Sequence, residues 1–495
     1  MTLAEVLLSG RDRFPEAVAL HHAGHHLSYA RTFRDVENIA VHLAHLGLGP
    51  GQLVANDIRQ PIGHWLILLA LMRLGAISVS LTDASDAEIA ALPDLAALIV
   101  GAKDGRSRPT GVRCIPVDPA WLRDPPDHAS LPPPAEAAET LGRVCFTSGT
   151  SGRPKAILLD AGLLRARLAG TARRTRIHTR SVLWCGLGPD TAYGLTATLA
   201  AWLEGAAVIF SSGGQGAWRY LTDRHVNLIV ASPAALATLV RDAASTTSLP
   251  RMAGPTIVAG GRLSLALRDV LLEKLCSEVL IAFGSSEAGG VSLGDARALD
   301  IHPGNVGAVF PDVEARIVGE AGTLLPPGAS GRLRVRTDSL PSGYLNDPAA
   351  TAAHFENGWF EPGDLAQISP DGTLTMLGRP TDTLNLGGVK LPAEDLDAIA
   401  RETDGVADAC AVVIASSESW HELALLVTGE PNGENLAARI RAKLPMTPRF
   451  RLVAIPAIPR GSMGKVNRDA LAQRIGALLR SPPEARGGVR LLGTF

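Results

Sequence analysis

A chain of 495 residues with a net charge of −2 is too long for one ordinary core, which predicts two or more domains. Its 46% hydrophobic and 19% charged residues fit a globular fold and exclude a disordered one. The balanced charge gives no bulk hold on nucleic acid or an anionic membrane surface.

No apolar run reaches the ~18 residues of a membrane-spanning helix: Trp65–Met72 is too short and Gly194–Phe210 is broken by Glu204. The N-terminus has no secretory h-region. The five cysteines form no C-x-x-C pair, which argues against a disulfide framework or a zinc site. Together these features predict a cytoplasmic protein without membrane insertion or a nucleic-acid partner.

In chain order, Phe33–Leu48 has the spacing of an amphipathic helix ending at Gly49-Pro50. Pro61–Leu74 predicts a second helix, followed by a strand at Ala76–Leu81. Leu131–Pro134 reads as a surface linker into a strand at Arg143–Phe146. The alternation resumes with a helix at Gly194–Trp202, strands at Ala206–Phe210 and Leu228–Ala231, and a helix at Ala234–Ala243. Such alternation predicts α/β layers with a parallel sheet.

Between about 304 and 378 the texture changes to short β-rich runs such as Val313–Val318, Arg332–Arg336 and Leu374–Leu377, separated by Gly, Pro, Asn and Asp. That pattern predicts a small antiparallel barrel or sheet. Helices at Ala393–Arg401 and Asn435–Ala442 and strands at Ala409–Ile414 and Leu423–Val427 then predict a separate α+β domain. The expected division is an N-terminal core of residues 1–380, barrel-like over about 304–378, and a separate C-terminal domain of 381–495. Ser481–Gly488, rich in Pro, Gly and Arg, is expected to fray.

One loop carries the plainest chemistry. Thr147, Ser148, Gly149, Thr150, Ser151, Gly152, Arg153, Pro154 and Lys155 follow a buried strand. Hydroxyl donors, a pliable glycine backbone and a cation suit a triphosphate. The order Pro154-Lys155-Ala156 excludes the Walker loop, which needs a hydroxyl directly after the lysine.

This loop resembles the phosphate-binding loop of the adenylate-forming superfamily: acyl- and aryl-CoA synthetases, adenylation domains of nonribosomal peptide synthesis, and luciferases. Further stretches match in the same order. These are Ala259-Gly260-Gly261, Phe283-Gly284-Ser285-Ser286-Glu287, Gly343–Asn346, Gly358–Phe360, Gly363-Asp364, Gly378-Arg379, Gly387-Gly388-Val389-Lys390-Leu391 and Pro459–Lys465.

The resemblance implies a large N-terminal domain of two α/β subdomains plus a small β-barrel, followed by a small α+β domain that swings between half-reactions. It implies Mg-ATP-dependent activation of a small carboxylic acid as an acyl-adenylate, with release of pyrophosphate. The acyl group then passes to CoA or the phosphopantetheine of a separate carrier protein, with release of AMP.

Implied roles follow residue by residue. Thr147, Ser148, Gly149, Thr150, Ser151, Gly152, Lys155, Phe283, Gly284 and Ser285 would face the nucleotide, and Gly260 and Gly261 the adenine and acyl pocket. Ser286 would stand beside a phosphate and Glu287 would hold Mg²⁺, a hard cation suited to carboxylate oxygens. Asp364 would take the ribose hydroxyls, Arg379 the ribose and phosphates, and Gly387 and Gly388 the incoming thiol. Lys465 would bridge the substrate carboxylate and the α-phosphate.

Three departures stand out. Pro380-Thr381-Asp382 replaces the usual hinge residues, and Gly331-Arg332 replaces a common Gly-Glu. Gly188-Pro189-Asp190-Thr191-Ala192-Tyr193 stands where many members carry Pro-x-x-His. Asp190 there has two readings: an N-cap for the following helix, or a partner for a substrate ammonium, which would make the chain an amino-acid ligase. Thr191, Ala192 and Tyr193 are expected in the pocket by position. A luciferase-like oxygenase and a non-catalytic nucleotide-binding relative are the remaining alternatives.

Overall fold

The computed structural model describes residues 10–81, 94–101, 111–123, 141–147, 155–211, 216–244, 251–320, 322–379, 383–386, 389–415, 421–445, 447–460, 466–482 and 486–495, with isolated residues between. The chain opens with a hairpin, β1 (Val18–His22) and β2 (His25–Ser28). Its turn residues Ala23 and Gly24 both take positive φ.

Helix α1 (Tyr29–His45) follows, capped by the Ser28 hydroxyl accepting from Arg31 N–H. It starts four residues before the expected Phe33 because that cap lies upstream. It stops before Gly49-Pro50 because Gly47 takes φ +80.

The first sheet has strands β3 (Leu53–Asp57), β4 (Ile77–Ser80), β5 (Leu95–Val100), β6 (Cys114–Pro116), β7 (Gly142–Thr147) and β8 (Lys155–Asp160). Their order is β6-β5-β3-β4-β7-β8, parallel except for the antiparallel final pair. Helix α2 (Pro61–Arg73) crosses from β3 to β4, with proline at its start, where no N–H is needed. The sheet's faces alternate, as a pleat requires. Val54 and Ile99 join the main core, while Ala55, Leu98 and Val100 form a second cluster.

Helix α3 (Ala161–Thr175) leads into the second sheet. Strands β9 (Val182–Cys185), β10 (Ala207–Phe210), β11 (Leu228–Ala231), β12 (Thr256–Val258) and β13 (Val279–Ser285) run parallel in the order β10-β9-β11-β12-β13. Helix α4 (Ala192–Leu203) joins β9 to β10 and is buried nearly all round. Helix α5 (Pro233–Ala244) follows β11. Trp65 of α2 packs edge-on against Trp202 of α4 at 5.1 Å, and Trp202 Nε1–H donates to Ala19 O at 2.8 Å. The two sheets thus share one core; each such tryptophan is worth about 3–5 kcal/mol against alanine.

Beyond β13 the chain turns antiparallel. Strands β14 (Gly289–Asp295), β15 (Asn305–Val309), β16 (Glu314–Val318), β17 (Ser330–Arg336), β18 (Phe355–Glu356), β19 (Trp359–Phe360), β20 (Leu365–Ile368) and β21 (Thr373–Gly378) extend the second sheet, with helix α6 (Pro348–His354) before β18. The expected barrel-like part is therefore continuous with the α/β sheet: β15 pairs with β14 on one side and β21 on the other.

The last part begins with the hairpin β22 (Thr383–Leu386) and β23 (Val389–Pro392) and helix α7 (Ala393–Arg401). A sheet of β24 (Val406–Ala415), β25 (His421–Gly429), β26 (Phe450–Ala454) and β27 (Arg490–Thr494) follows, with helices α8 (Gly433–Lys443) and α9 (Arg468–Arg480). Alternation along β24 splits its two faces: Ala409 and Ala411 pack with α7 and α8, and Cys410, Val412 and Ile414 with α9. These clusters contain no residue before Leu384.

Fraying is expected at Ser481–Gly488; Pro483 and Ala485 there lie outside the described residues, and the described part is tied down instead. Arg486 Nε donates to Ser481 O at 2.9 Å, and the chain returns as β27 against β26. Among the described residues, no helix is long and apolar enough to cross a membrane.

Candidate active site

Antiparallel pairing of β7 with β8 ends at the register pair Thr147–Lys155. The hydroxyl-and-glycine loop is therefore the tip of a hairpin with both feet fixed. Its inner residues Ser148, Gly149, Thr150, Ser151 and Gly152 lie outside the described residues. Lys155 Nζ lies 3.1 Å from His354 Nε2 and 4.9 Å from the Tyr344 ring centroid. His354 Nδ1 is 2.8 Å from Glu361 O. That carbonyl can only accept, so Nδ1 carries the proton and Nε2 accepts from the lysine.

Tyr344 rests on β8, with Leu345 N–H donating to Ala156 O at 2.7 Å. Its hydroxyl donates to Glu287 Oε1 at 2.8 Å. Burial, then the charge of Glu287, pushes the tyrosine pKa up, so the hydroxyl stays a donor. Gly343 is required beside it: a Cβ would sit 2.4 Å from Thr351 Cγ2.

Ser286 and Glu287 are buried in the turn between β13 and β14. Gly284 is needed there because a Cβ would stand 2.2 Å from Gly289 O. Ser285 Oγ accepts from Ala288 N–H at 3.0 Å, so its hydroxyl holds the turn. From α3, buried Arg167 donates to the carbonyls of Ser286 (2.7 Å), Glu287 and Ser339 (2.9 Å). Burial pushes the Arg167 pKa down to about 10, which leaves it cationic at neutral pH.

Pairing of Leu365 with Gly378 sets Asp364 beside Arg379. Arg379 Nε and Nη2 donate to Asp364 Oδ1 and Oδ2 at 2.7 and 3.2 Å. A carboxylate has about four lone-pair sites, so this fork leaves room for further donors. The Arg379 charge works against the rise in the Tyr344 pKa, after burial and Glu287.

Gly260 and Gly261 follow β12, Phe283–Glu287 end β13, and Gly188–Thr191 follow β9. All three lie at the carboxyl ends of parallel strands of the same sheet, where open α/β sheets bind ligands. Gly260 takes φ +80, and a Cβ there would meet nothing within 4 Å, so its face is open.

Thr191, rather than Asp190, caps α4: its hydroxyl accepts from Gly194 N–H at 3.0 Å and donates to Gly188 O at 2.9 Å. Thr191 and Ala192 are buried and Tyr193 partly so. Gly387, Gly388, Pro380–Asp382 and Lys465 lie outside the described residues.

Among the described residues no group of three or more His, Cys, Asp or Glu assembles to hold a metal. Glu287 is a buried carboxylate whose Oε1 accepts from the Tyr344 hydroxyl. Such a donor fits Mg²⁺, which is bound by one or two carboxylates plus phosphates and water. The sequence motifs held no signal for Arg167, Arg143 or His354, whose partners are distant backbone and side-chain groups.

A nucleotide-binding enzyme is the class that this fold and this array of hydroxyls, cations and carboxylates define. Residues 10–345 match the family described as AMP-binding enzyme, and the chain belongs to that family. It is similar to 2-hydroxy-7-methoxy-5-methyl-1-naphthoate–CoA ligase of Streptomyces carzinostaticus, with 27% identity covering 96% of this chain and 94% of that protein. It is also similar to 4-chlorobenzoate–CoA ligase of an Arthrobacter species, 26% identical over 98% of each. Its fold is similar to that of o-succinylbenzoate coenzyme A synthetase (MenE) from Bacillus subtilis in complex with ATP and magnesium ion. That match has a TM-score of 0.79 at 20% identity, covering 94% of this chain and 99% of that one.

Proposed function

We propose that the chain is an AMP-forming acid–thiol ligase. A carboxylate oxygen of the substrate forms a bond to the α-phosphorus of ATP as the bond to pyrophosphate breaks. A thiol sulfur then attacks the acyl carbon, the bond to AMP breaks, and the thiol proton passes to solvent. The acceptor is CoA or the phosphopantetheine of a separate carrier protein, in the cytoplasm where ATP and CoA are supplied.

The observation that carries this reading is the convergence of Lys155, Tyr344 and Glu287 at one end of the Thr147–Lys155 hairpin. Near-full-length similarity to two CoA ligases supports it. The protein's work is to bring two anions together and hold positive potential where charge develops. Lys155 and the loop ending at it would hold phosphates, Ser286 would donate beside them, and Asp364 with Arg379 would fix the ribose. Magnesium, when bound at Glu287, neutralises phosphate charge. Lys465 would bridge the substrate carboxylate and α-phosphate from a C-terminal domain of residues 381–495, which we infer swings about the residues after Gly378. Separate hydrophobic clusters on the two sides of that point support the division.

ATP–pyrophosphate exchange across a panel of carboxylic acids tests the reading. At least one acid should support exchange, and Lys465→Ala should slow it by about 10²-fold or more. Exchange with no acid while ATP still binds would favour a non-catalytic relative.

A further inference from the structure

A cavity of about 280 Å³ lies at the amino ends of three strands of the second sheet. Val18 opens β1, Val182 opens β9 and Ala207 opens β10, and all three line it. These strands run parallel, so the cavity is at the opposite end of the sheet from the candidate active site, which gathers at carboxyl ends. Helix α4 separates the two places. Its first turn follows Gly188–Thr191 and its last leads to Gly205 in the cavity wall, about 18 Å further along.

The wall is rich in donors. It includes His21 from β1, Arg180 and Ser181 just ahead of β9, and Arg224 just after the short helix Ala217–Asp223. Among the described residues no carboxylate lines the cavity, and none pairs with either guanidinium. Arg224 instead stands 5.1 Å from the Tyr220 ring centroid, a contact that steadies it without using its N–H groups. Ser181 Oγ accepts from His178 N–H at 3.1 Å and keeps its own hydrogen to donate. His21 Nδ1 is buried without a partner, which leaves Nε2 as the ring nitrogen able to meet a ligand. Burial, then the charges of Arg224 and His26, push the His21 pKa down, as expected where cations crowd with no carboxylate among them.

The carboxyl end of α4 also reaches this wall and carries about half a negative charge. One cation would offset that, and two guanidiniums exceed it. Glu204 and Asp223, next in sequence to Gly205 and Arg224, do not line the cavity, and Asp223 lies 3.9 Å from Arg219. A planar carboxylate is matched by one guanidinium fork. A tetrahedral oxyanion offers oxygens in several directions and can take donors from separate elements at once. We propose that this cavity binds a phosphate-type oxyanion at a site apart from the nucleotide. Its volume suits phosphate, pyrophosphate or the phosphate head of an ester, whereas drug-sized ligands occupy about 300–1,000 Å³. The site does not rest on the adenylation reading, since no residue of that reading enters its wall.

Isothermal titration of the full chain with inorganic phosphate, pyrophosphate and glycerol phosphate tests this, at low ionic strength where exposed charges are least screened. Arg180→Ala and Arg224→Ala should each weaken binding about ten-fold or more, and the double variant should lose it. The same binding should survive Lys155→Ala, which separates it from any anion held at the phosphate loop. Arg219→Ala removes an equal charge from the same helix but outside the wall, and should change the affinity less than about two-fold. Arg180 is exposed and Arg224 half-buried, so these variants should melt with the wild type.

Inorganic anions bound more tightly than glycerol phosphate would mark a free anion as the ligand, and the reverse order the head of a phosphate ester; both support the site. No saturable binding of any of the three would overturn the proposal. So would binding indifferent to the double arginine variant, an equal loss on Arg219→Ala and Arg224→Ala, or benzoate bound more tightly than phosphate.

Discussion

On the function proposed above, Lys155 is useful only if its amine is held where the phosphates would arrive. The ammonium of Lys155 rests between the Tyr344 ring and the unprotonated Nε2 of His354. Without that acceptor, a chain with about 2 kcal/mol of rotamer entropy must be ordered by the nucleotide itself. His354→Ala is therefore expected to raise the KM for ATP about three- to ten-fold, with the KM for the acid unchanged. His354→Gln, whose amide oxygen can accept, should recover part of the loss. Steady-state kinetics with each substrate varied checks both. Lys155, Glu287, Asp364 and Arg379 were legible in the sequence because hydroxyl-, glycine- and charge-bearing motifs constrain chemistry locally. His354, Arg143 and Arg167 were not. A histidine near a helix end and arginines among apolar residues look like ordinary surface or core positions until a fold supplies their partners.

Element by element, hydrophobic period placed most helices and strands within a few residues, and the errors lay in capping and pairing. Asp190 and Thr191 are both good caps, and only the hydrogen bond to Gly194 N–H chooses the threonine. Strand β27 was missed because its pairing partner, β26, is distant in sequence and its own run is short. The barrel-like part was legible as antiparallel, but its fusion to the parallel sheet through β14 and β15 was not, since register is a property of two segments together. Helix α3 shows what such long-range pairing achieves. Its Arg167 spans to the β13–β14 turn and to Ser339, holding the backbone that presents Ser286 and Glu287. Arg167→Lys keeps the charge and loses the fork. It should lower kcat for pyrophosphate exchange about ten-fold or more and raise the magnesium needed for half-maximal rate, because Glu287 is no longer fixed. An unchanged magnesium dependence would show that the turn holds itself.

Across the whole molecule, the two bodies keep separate cores, and an ion pair joins them: Arg262 Nη1 to Asp395 Oδ1 at 2.5 Å. The position of this pair is informative. Arg262 directly follows the glycine pair Gly260-Gly261, and Asp395 lies in the first turn of α7, just after the β22–β23 hairpin that carries Gly387 and Gly388. The contact thus draws the hairpin expected to meet the thiol toward the glycines expected to line the acyl pocket. If the C-terminal body swings between half-reactions, this ion pair belongs to one of its positions and should favour the thiol step. With side chains 53% and 32% exposed, such a pair is worth less than about 1 kcal/mol, so its loss should cost about two- to five-fold in rate. Arg262→Ala or Asp395→Ala is expected to slow thioester formation from preformed acyl-adenylate by that factor and leave pyrophosphate exchange unchanged. The exchanged pair Arg262→Asp/Asp395→Arg should restore part of the rate, and high salt should mimic the single variants. Single-turnover measurements of the two half-reactions separate these outcomes; equal slowing of both would show that the pair merely supports the fold.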